Sequence, residues 1–255
     1  MTRGSDVAGP SATGGPRLGI VIPTLNEEEH LPDLLDDLAR LSHPPMIVVA
    51  DGGSSDGTLD IARTRAARTL RTAPGRALQM NVGARALDTP WVLFLHADSR
   101  LPQGTRGALE RWLDAPPQDI EAAHFAFRLD SDGLWWTLIE RGQRARERLT
   151  GLAYGDQGLL VSRSRYEEIG GIPELPLMED VELMKRLRRR GPVDRIEAPI
   201  ITSARRYREV GPFLGWLRNA TLLALYSLGV PPRVLARWYR PRMRAGRRSA
   251  AESRA

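Results

Sequence analysis

Residues 46–58 read MIVVADGGSSDGT, a short apolar run followed by a turn that contains two adjacent glycines. The apolar run predicts a buried strand, and Asp51 places a carboxylate at its C-terminal end. The glycines allow a sharp turn, after which a serine or Asp56 can cap the next helix. Ligands of open α/β sheets bind outside the carboxyl ends of the strands, so Asp51 indicates a site. A carboxylate there suits the hydroxyl and N–H groups of a nucleoside, and we predict that the chain handles a nucleotide.

The composition indicates one large globular α/β domain. The chain has 255 residues, of which 42% are hydrophobic and 27% charged, and both fractions are ordinary for a soluble protein. It contains no cysteine, which excludes disulfides, thiolate metal sites and cysteine nucleophiles. The four histidines are scattered without zinc-ligand spacing.

The formal net charge of +6 is unevenly spread. Residues 233–248 hold seven arginines and no acidic residue, and the remainder is close to neutral. Arginine-rich segments bind anionic surfaces such as membrane lipid or nucleic acid, or are simply solvated, and these alternatives stay open. We expect a disordered basic tail at 241–255. Residues 1–16, rich in Gly, Ser, Thr and Pro, predict a disordered leader without a secretion signal.

Between these ends we expect a single domain over 17–240, in which apolar runs and helical periodicity alternate. The alternation predicts a mostly parallel central sheet with helices on both faces. In the nucleotide-binding half, residues 17–100, the predicted strands are 18–22, 46–50, 69–72 and 91–95, and the predicted helices are 27–41, 57–67 and 75–87.

The pattern is less regular in the predicted acceptor and catalytic half, residues 101–210. Helices are predicted at 104–113, 134–149 and 178–190, and strands at 124–129, 158–161 and 196–201. C-terminal helices are expected over 211–240. Residues 213–228 are apolar nearly all round except for Arg218 and Asn219, yet too short to span a bilayer. This helix is buried, forms a dimer contact, or lies in a membrane interface.

Three further places carry residues that could do chemistry. His96 and Asp98 follow an apolar strand, and their alternation places them on one side of it; Asp98 there suits Mg²⁺ or Mn²⁺, or caps a helix. Glu179 and Asp180 begin a predicted helix, where the helix dipole favours acids and where a held carboxylate could act as a general base. Arg76 and the pair at 205–206 suit a diphosphate or a surface ion pair.

Five motifs stand in the order and spacing of a family 2 glycosyltransferase, which the chain resembles over residues 18–240. They are IPTLNEE at 22–28, DGGSSDGT at 51–58, GR at 75–76, HAD at 96–98 and ED at 179–180. Within this family, the chain resembles the small bacterial subgroup labelled "transferase 2, radical SAM/selenodomain-associated". The resemblance implies a GT-A fold, a nucleotide-sugar donor, a divalent cation (Mg²⁺ or Mn²⁺) and inversion at the anomeric carbon.

The resemblance also implies residue roles. The expected nucleotide-binding residues are Pro23, Thr24, Asn26, Glu28, Asp51, Gly53, Arg76, His96 and Ala97. Asp98 corresponds to the metal-binding acid of the family's D-x-D motif. Glu179 and Asp180 correspond to the family's catalytic E-D pair, whose Asp deprotonates the acceptor hydroxyl. The residues expected at the diphosphate and the acceptor are Arg205, Arg206, Tyr154, Asp156 and Gln157. Asp156 either contacts a sugar hydroxyl or serves only in a turn. His96 departs from the family pattern, where many relatives have an Asp, and histidine adds no fixed negative charge.

The expected activity is transfer of a sugar to a small-molecule or lipid-linked acceptor. The favoured donor is a UDP-sugar, and the expected sugar is a hexose. A sugar nucleotidyltransferase is one alternative, although the acidic residues after the first strand do not form a phosphate loop. A nucleotide-sugar-binding or membrane-associated protein without catalysis is the other. We expect a cytoplasmic protein that binds no nucleic acid, and peripheral membrane contact and a homodimer stay open.

Overall fold

The computed structural model describes residues 15–65 and 68–239, apart from the side chains of Arg206 and Glu209. Most of the expected leader and all of the expected tail lie outside these residues, so the expected domain boundaries stay a prediction. The strands are β1 Leu18–Thr24, β2 Met46–Asp51, β3 Arg68–Arg71, β4 Trp91–Phe94, β5 Ser99–Arg100, β6 Ala122–Leu129, β7 Leu159–Ser162 and β8 Asp194–Thr202.

Helices connect these strands and form the C-terminal part of the described chain. They are α1 Leu31–Ala39, α2 Thr58–Thr64, α3 Arg76–Arg85, α4 Gln103–Asp114, α5 Leu134–Thr150, α6 Arg163–Glu168, α7 Glu179–Arg190, α8 Arg205–Val210, α9 Pro212–Ser227 and α10 Pro232–Tyr239, with a 3₁₀ turn at Gly155–Gln157. No helix of the described part is both long and apolar enough to cross a membrane.

The strands form one mixed sheet in the order β3-β2-β1-β4-β7-β6-β8-β5. The first four strands in this order pair in parallel, as do β6 and β8. Strand β7 runs antiparallel to both β4 and β6, and β5 runs antiparallel to β8. The carboxyl ends of β1, β2 and β4 therefore meet at one edge, which places their following loops side by side.

Helices cover both faces of the sheet. Alternate residues of β1 point to opposite sides, so that Ile20 and Ile22 join one apolar cluster and Val21 joins another. The first cluster includes Leu31, Leu34, Leu35 and Leu38 of α1 and Leu41 beyond it, all of them buried, as the spacing of these leucines predicts. The second cluster contains apolar residues of α3 and α7. The predicted α/β architecture is confirmed.

Several predicted boundaries are wrong. Helix α1 begins at Leu31 and not at Glu27, because the Glu27 carbonyl accepts the N–H groups of His30 and Leu31 in a preceding turn and Pro32 stands in the first helical turn. Strand β1 continues through Pro23 instead of ending there. Strand β4 ends at Phe94, so His96 and Asp98 lie in a turn after the strand.

Candidate active site

The loop after β1 is hydrogen-bonded to the loop after β2. Asn26, in the left-handed region at φ 55°, donates its N–H to Ser54 Oγ, and its Oδ1 accepts the N–H of Ser55, both at 2.9 Å. Glu28 Oε2 accepts the N–H of Gly57 at 2.7 Å. Asn26 and Glu28, expected at the nucleotide, thus hold two loops of the sheet edge together.

The Asp51 carboxylate is fully buried and organises its own turn. Its Oδ1 accepts the N–H groups of Gly53 and Ser54, each at 2.9 Å, and its Oδ2 accepts the hydroxyls of Ser54 and Thr24. Burial would raise the pKa of Asp51, but the hydrogen bonds from Ser54, Gly53 and Thr24 hold it below its ordinary value. Direct contact of Asp51 with a base or ribose stays a prediction.

Gln79 of α3 joins the ends of the two strands. Its buried Nε2 donates to the carbonyls of Thr24 at 2.8 Å and Ala50 at 2.7 Å. The Thr24 carbonyl also accepts the N–H of Gly52, so Gln79 adds a side-chain connection between two strand ends that the backbone already joins. The other residues expected at the nucleotide are in different surroundings: Pro23 is half-buried, Ala97 lies in the apolar core, and Gly53 is exposed at φ 99°.

Arg205 of α8 connects the loop after β1 to the turn after β4. Its Nη2 lies 2.6 Å from Glu27 Oε1 and 3.2 Å from Asp98 Oδ2. Asp98 is nearly buried, and its side chain is 7% exposed. The structure therefore brings the expected diphosphate-binding arginine against the expected metal-binding acid. The side chain of Arg206, its predicted companion, lies outside the described residues.

Arg76 at the start of α3 pairs with Glu179 at the start of α7. The guanidinium contacts Glu179 Oε1, and its Nη1 lies 3.4 Å from His96 Nε2. Burial lowers the pKa of Arg76, but the carboxylates of Glu179 and Asp180 outweigh it and leave that pKa above its ordinary value. Burial raises the pKa of Glu179, and Arg76 opposes this rise. Glu179 is thus held in an ion pair.

Asp180, the next residue, is held in a different way. Its Oδ2 accepts the N–H of Gly155 at 2.9 Å, and its Oδ1 accepts the N–H of Val181 at 2.8 Å. The residue before the pair, Met178, is buried and in the left-handed region at φ 65°, a strained conformation for a side chain of this type. Glu179 and Asp180 therefore have different partners, an arginine for the first and backbone N–H groups for the second.

The turn at 154–157 supplies a second carboxylate beside Asp180. Asp156 Oδ1 is buried and accepts no hydrogen bond from the described residues. Burial raises the pKa of Asp156 to about 6, the nearby Arg146 opposes this rise, and the Asp180 carboxylate adds to it. Arg146 of α5 lies over the Tyr154 ring, and its three guanidinium nitrogens are buried without hydrogen-bond partners in the described chain.

Gln157, expected at the acceptor, is buried beneath this turn. Its Nε2 donates to the Phe125 carbonyl at 3.2 Å and to Glu147 Oε2 at 2.9 Å, while its Oε1 accepts the N–H of Tyr154 at 2.9 Å. All its polar atoms are therefore engaged in holding the turn. Gln157 positions Tyr154 and Asp156 and does not face the cavity described next.

A cavity of about 120 Å³ lies at this edge of the sheet. It is lined by Arg76, His96, Asp98, Leu129, Tyr154, Asp156, Leu177, Met178, Asp180, Thr202, Ser203, Tyr207, Arg218, Asn219, Leu222 and Tyr239. Acids distant in sequence, Asp98, Asp156 and Asp180, thus share one space with Arg76 and His96. No group of three or more His, Asp or Glu side chains in the described residues could by itself hold a metal ion.

Several cavity residues had no predicted role. Asn219 Nδ2 lies 3.4 Å from the hydroxyl of Tyr207, and Arg218 stacks on the Tyr239 ring. The sequence carried a signal for two of them, because Arg218 and Asn219 interrupt an otherwise apolar helix. Tyr207 and Tyr239 had no comparable signal, since their approach depends on how α8 to α10 pack.

Comparison with known proteins identifies the family of the chain. Residues 19–166 match the family model described as Glycosyl transferase family 2, which is more than half of the chain. The chain belongs to glycosyl transferase family 2. The expected enzyme class, a glycosyltransferase, is therefore confirmed at the level of the family.

One relative within this class is the PGL/p-HBAD biosynthesis glycosyltransferase of Mycobacterium tuberculosis, 39% identical over 94 residues. The aligned part is 34% of this family 2 chain and 37% of that relative, so the chain spans little more than a third of the length of the relative it matches.

Solved structures show the same fold at low identity. The mannosyltransferase of Pyrobaculum calidifontis, in complex with GDP-Man and Mn²⁺, is 20% identical with a TM-score of 0.58, over 93% of this chain and 83% of that one. Glucosyl-3-phosphoglycerate synthase of Mycobacterium tuberculosis, in complex with Mn²⁺, UDP and glucosyl-3-phosphoglycerate, is 18% identical with a TM-score of 0.57, over 86% and 82%. The predicted GT-A fold is confirmed.

Proposed function

We propose that the chain is an inverting glycosyltransferase that moves a sugar from a nucleotide-diphosphate donor to an acceptor hydroxyl, with Asp180 as the general base. The observation that carries this proposal is the convergence of Asp98, Asp156 and Asp180 with Arg76 around one cavity. Family membership supports sugar transfer as the reaction class. Family membership does not identify the base, and the surroundings of Asp180 support that assignment.

The donor is proposed to lie along the carboxyl edge of β1, β2 and β4, with its diphosphate toward Asp98, Arg76 and Arg205. The two arginines would bring positive charge to the diphosphate. Arg76 is about one third exposed, and Arg205 reaches the same turn as Asp98, so both guanidinium groups lie where the diphosphate is proposed to bind. Guanidinium groups bind phosphate oxygens through paired N–H donors. A UDP-sugar is the expected donor, in keeping with the sequence resemblance.

Asp98 is the residue that would hold a divalent cation. Mg²⁺ and Mn²⁺ favour oxygen ligands, and Mg²⁺ sites commonly combine one or two carboxylates with substrate phosphates and water. A single nearly buried aspartate on the cavity wall fits this mode, whereas a site made entirely of protein ligands does not. When bound, the cation would supply positive charge to the departing diphosphate.

Asp180 fits the role of base better than Glu179 does. Asp180 lines the cavity, and two backbone N–H groups fix its orientation while leaving lone pairs on each oxygen. Glu179 is 3% exposed and committed to Arg76, so it acts by positioning Arg76. In this proposal, Asp180 is the catalytic residue of the pair and Glu179 is a positioning residue.

The proposed reaction is a single displacement. Asp180 accepts the proton of the acceptor hydroxyl, and the acceptor oxygen forms a bond to the anomeric carbon from the face opposite the diphosphate. The bond between that carbon and the diphosphate oxygen breaks, and its electron pair leaves with the diphosphate, where Arg76 and Arg205 stabilise the charge. Inversion follows because one displacement occurs at the carbon.

The acceptor is proposed to enter beside Tyr154 and Asp156. Both line the cavity, and Asn219, Ser203 and Thr202 add neutral hydrogen-bonding groups that suit sugar or alcohol hydroxyls. A small molecule and a lipid-linked compound both present such a hydroxyl. Hexosyl transfer and membership of the subgroup labelled "transferase 2, radical SAM/selenodomain-associated" remain expectations from the resemblance, as does a cytoplasmic location.

Asp180→Asn tests the assignment of the base. We expect UDP release from a responsive UDP-sugar to fall by about a hundredfold or more, because a positioned base contributes that much, while UDP affinity with Mn²⁺ changes little. The two measurements are a coupled UDP-release assay with a panel of hydroxyl acceptors and calorimetric titration of UDP.

Glu182→Gln is the matched control on the same helix. Glu182 contacts Tyr226 and Arg186 and is not among the residues lining the cavity, so we expect near-normal activity. An Asp180→Asn variant that turns over at the rate of Glu182→Gln would remove Asp180 from its proposed role.

A further inference from the structure

Helices α5 and α9 expose an apolar face that the proposed reaction does not use. On α5, Leu134 is 74% exposed and Trp135 58%, and Leu138 is also exposed. On α9, the exposed residues are Phe213, Leu214, Trp216 and Leu217. Contiguous exposed apolar side chains of this size mark a binding surface more often than isolated ones do.

The two sets of residues adjoin. Leu134, Leu138 and Gly142 follow each other at steps of four, so they share one side of α5. A Cβ at Gly142 would lie 3.2 Å from Trp216 Nε1, which shows that the Trp216 side chain sits against this row. Phe213 lies one turn before Trp216 on α9. We call the surface formed by residues 134, 135, 138, 213, 214, 216 and 217 the apolar face.

Arginines and no acids surround the apolar face on its own helices. The exposed positions of α5 carry Arg141, Arg144 and Arg148, whereas its two glutamates are turned inward, Glu140 to the Leu129 N–H and Glu147 to Arg195. Residues 210–239 contain no Asp or Glu at all, and α10 exposes Arg233 and Arg237 beside Trp238. Among the side chains that the structure describes, the nearest exposed acid in sequence is Asp132, before α5, and in the sequence Glu209 is the last acid before α9.

We infer that the apolar face docks on an anionic membrane surface. Exposed Trp, Phe and Leu side chains bordered by arginines match a helix lying in a bilayer interface, where the rings insert and the guanidinium groups bind lipid phosphates. A second copy of the chain fits less well, because a symmetric contact would bring both sets of arginines together without acids to neutralise them.

The apolar face is continuous with the cavity wall. Helix α9 turns Arg218, Asn219 and Leu222 into the cavity while Phe213, Leu214 and Leu217 face outward. Docking through α9 would therefore hold the acceptor side of the cavity near the lipid headgroups. A lipid-linked acceptor would then be held close to the cavity that Asp180 lines, which, given the proposed function, favours the lipid-linked class among the proposed acceptors.

Vesicle co-sedimentation of the full chain tests this inference. We expect binding to mixed phosphatidylcholine–phosphatidylglycerol vesicles, weaker binding to phosphatidylcholine alone, and weakening by salt. The double variant Trp135→Ser with Phe213→Ser should lower partitioning by about tenfold or more, because two aromatic side chains no longer insert. Leu25→Ser, a half-exposed apolar residue in the loop after β1, is the matched control and should bind as the wild type does.

A second measurement separates insertion from loss of folding. Brominated lipid should quench the fluorescence of the wild type, and Trp135→Phe, which keeps an apolar ring, should bind vesicles equally with less quenching. Equal partitioning of the double variant and the wild type, or binding to neutral vesicles without salt dependence, would overturn the inference. A dimer that the double variant dissociates, without any vesicle binding, would overturn it as well. Neither measurement needs a sugar donor, so the result is independent of the proposed transfer reaction.

Discussion

Asp156 is a residue of the site whose surroundings disfavour the charged form of its carboxyl group. It lies in the same cavity as Asp98 and Asp180, and one of its oxygens is buried without a hydrogen bond from the described chain. An unsatisfied buried oxygen lowers stability unless a ligand or water reaches it. In the proposed reaction, a hydroxyl group of the acceptor would supply the missing donor.

We predict that Asp156→Asn stabilises the protein at about pH 8 more than at about pH 4. Folding raises the pKa of Asp156 to about 6, so the native state keeps a proton that the unfolded chain loses at lower pH. The contribution of Asp156 to stability therefore falls as pH rises through that window, and asparagine removes this fall. Thermal unfolding across pH measures the effect.

Asp60→Asn is the control for this pH experiment, since Asp60 is exposed on α2 and distant in sequence from the site. Its melting temperature should follow that of the wild type at each pH. Parallel curves for Asp156→Asn and the wild type would show that Asp156 titrates as an ordinary surface acid.

At the level of elements, the 3₁₀ turn at 155–157 depends on the glycine that ends it. Gly158 adopts φ 61°, and a Cβ there would lie 2.5 Å from Ile200 Cδ1 and 3.2 Å from Leu95 Cδ2. The end of the turn therefore packs directly on β8 and on Leu95, the residue after β4. Because Gly155 binds Asp180 and Asp156 faces the cavity, the position of this glycine sets the position of both acids.

Gly158→Ala should destabilise the protein more than Gly170→Ala does. Both glycines have positive φ, at 61° and 74°, so both substitutions meet a backbone penalty of about 1–2 kcal/mol. Only Gly158 also meets packed side chains, since nothing lies within 4 Å of a Cβ at Gly170, and overpacking adds about 1–3 kcal/mol. Urea unfolding of both variants measures the difference; equal losses would mean that Ile200 and Leu95 move aside freely.

Local patterns predicted the elements better than they predicted contacts between them. The apolar runs at 46–50 and 91–95 and the leucine spacing after residue 31 correctly indicated β2, β4 and α1. The acids Glu27 and Glu28 were wrongly assigned to the first turn of α1, because their side chains bind Arg205 of α8 and the N–H of Gly57 before α2. Helix propensity cannot detect partners 29 or 178 residues away.

The same limit applies to the site. Asp98 and Asp180 could be predicted to share it, because strand ends and helix starts hold such groups at the sheet edge, and the cavity contains both. Gln157 was expected at the acceptor but supports the turn from below, and Arg146 was not predicted at all. Which side of α5 faces Tyr154 is decided by packing, which a single sequence does not reveal.

At the scale of the whole molecule, long-range ion pairs connect the two halves of the chain. Arg76 and Glu179 are 103 residues apart, and Arg205 and Glu27 are 178 apart. The first pair joins α3 to α7, and the second joins α8 to the loop after β1. The expected nucleotide half and the expected acceptor half are thus held against each other where the cavity lies, with the apolar face on the outer side of α9.

The most direct test of this account is anomalous-difference crystallography of the protein with UDP and Mn²⁺. We predict a manganese peak beside the Asp98 carboxylate, with the diphosphate in the cavity that Asp180 and Asp156 line. Manganese and UDP bound together at a place remote from Asp98 and Asp180 would contradict the account.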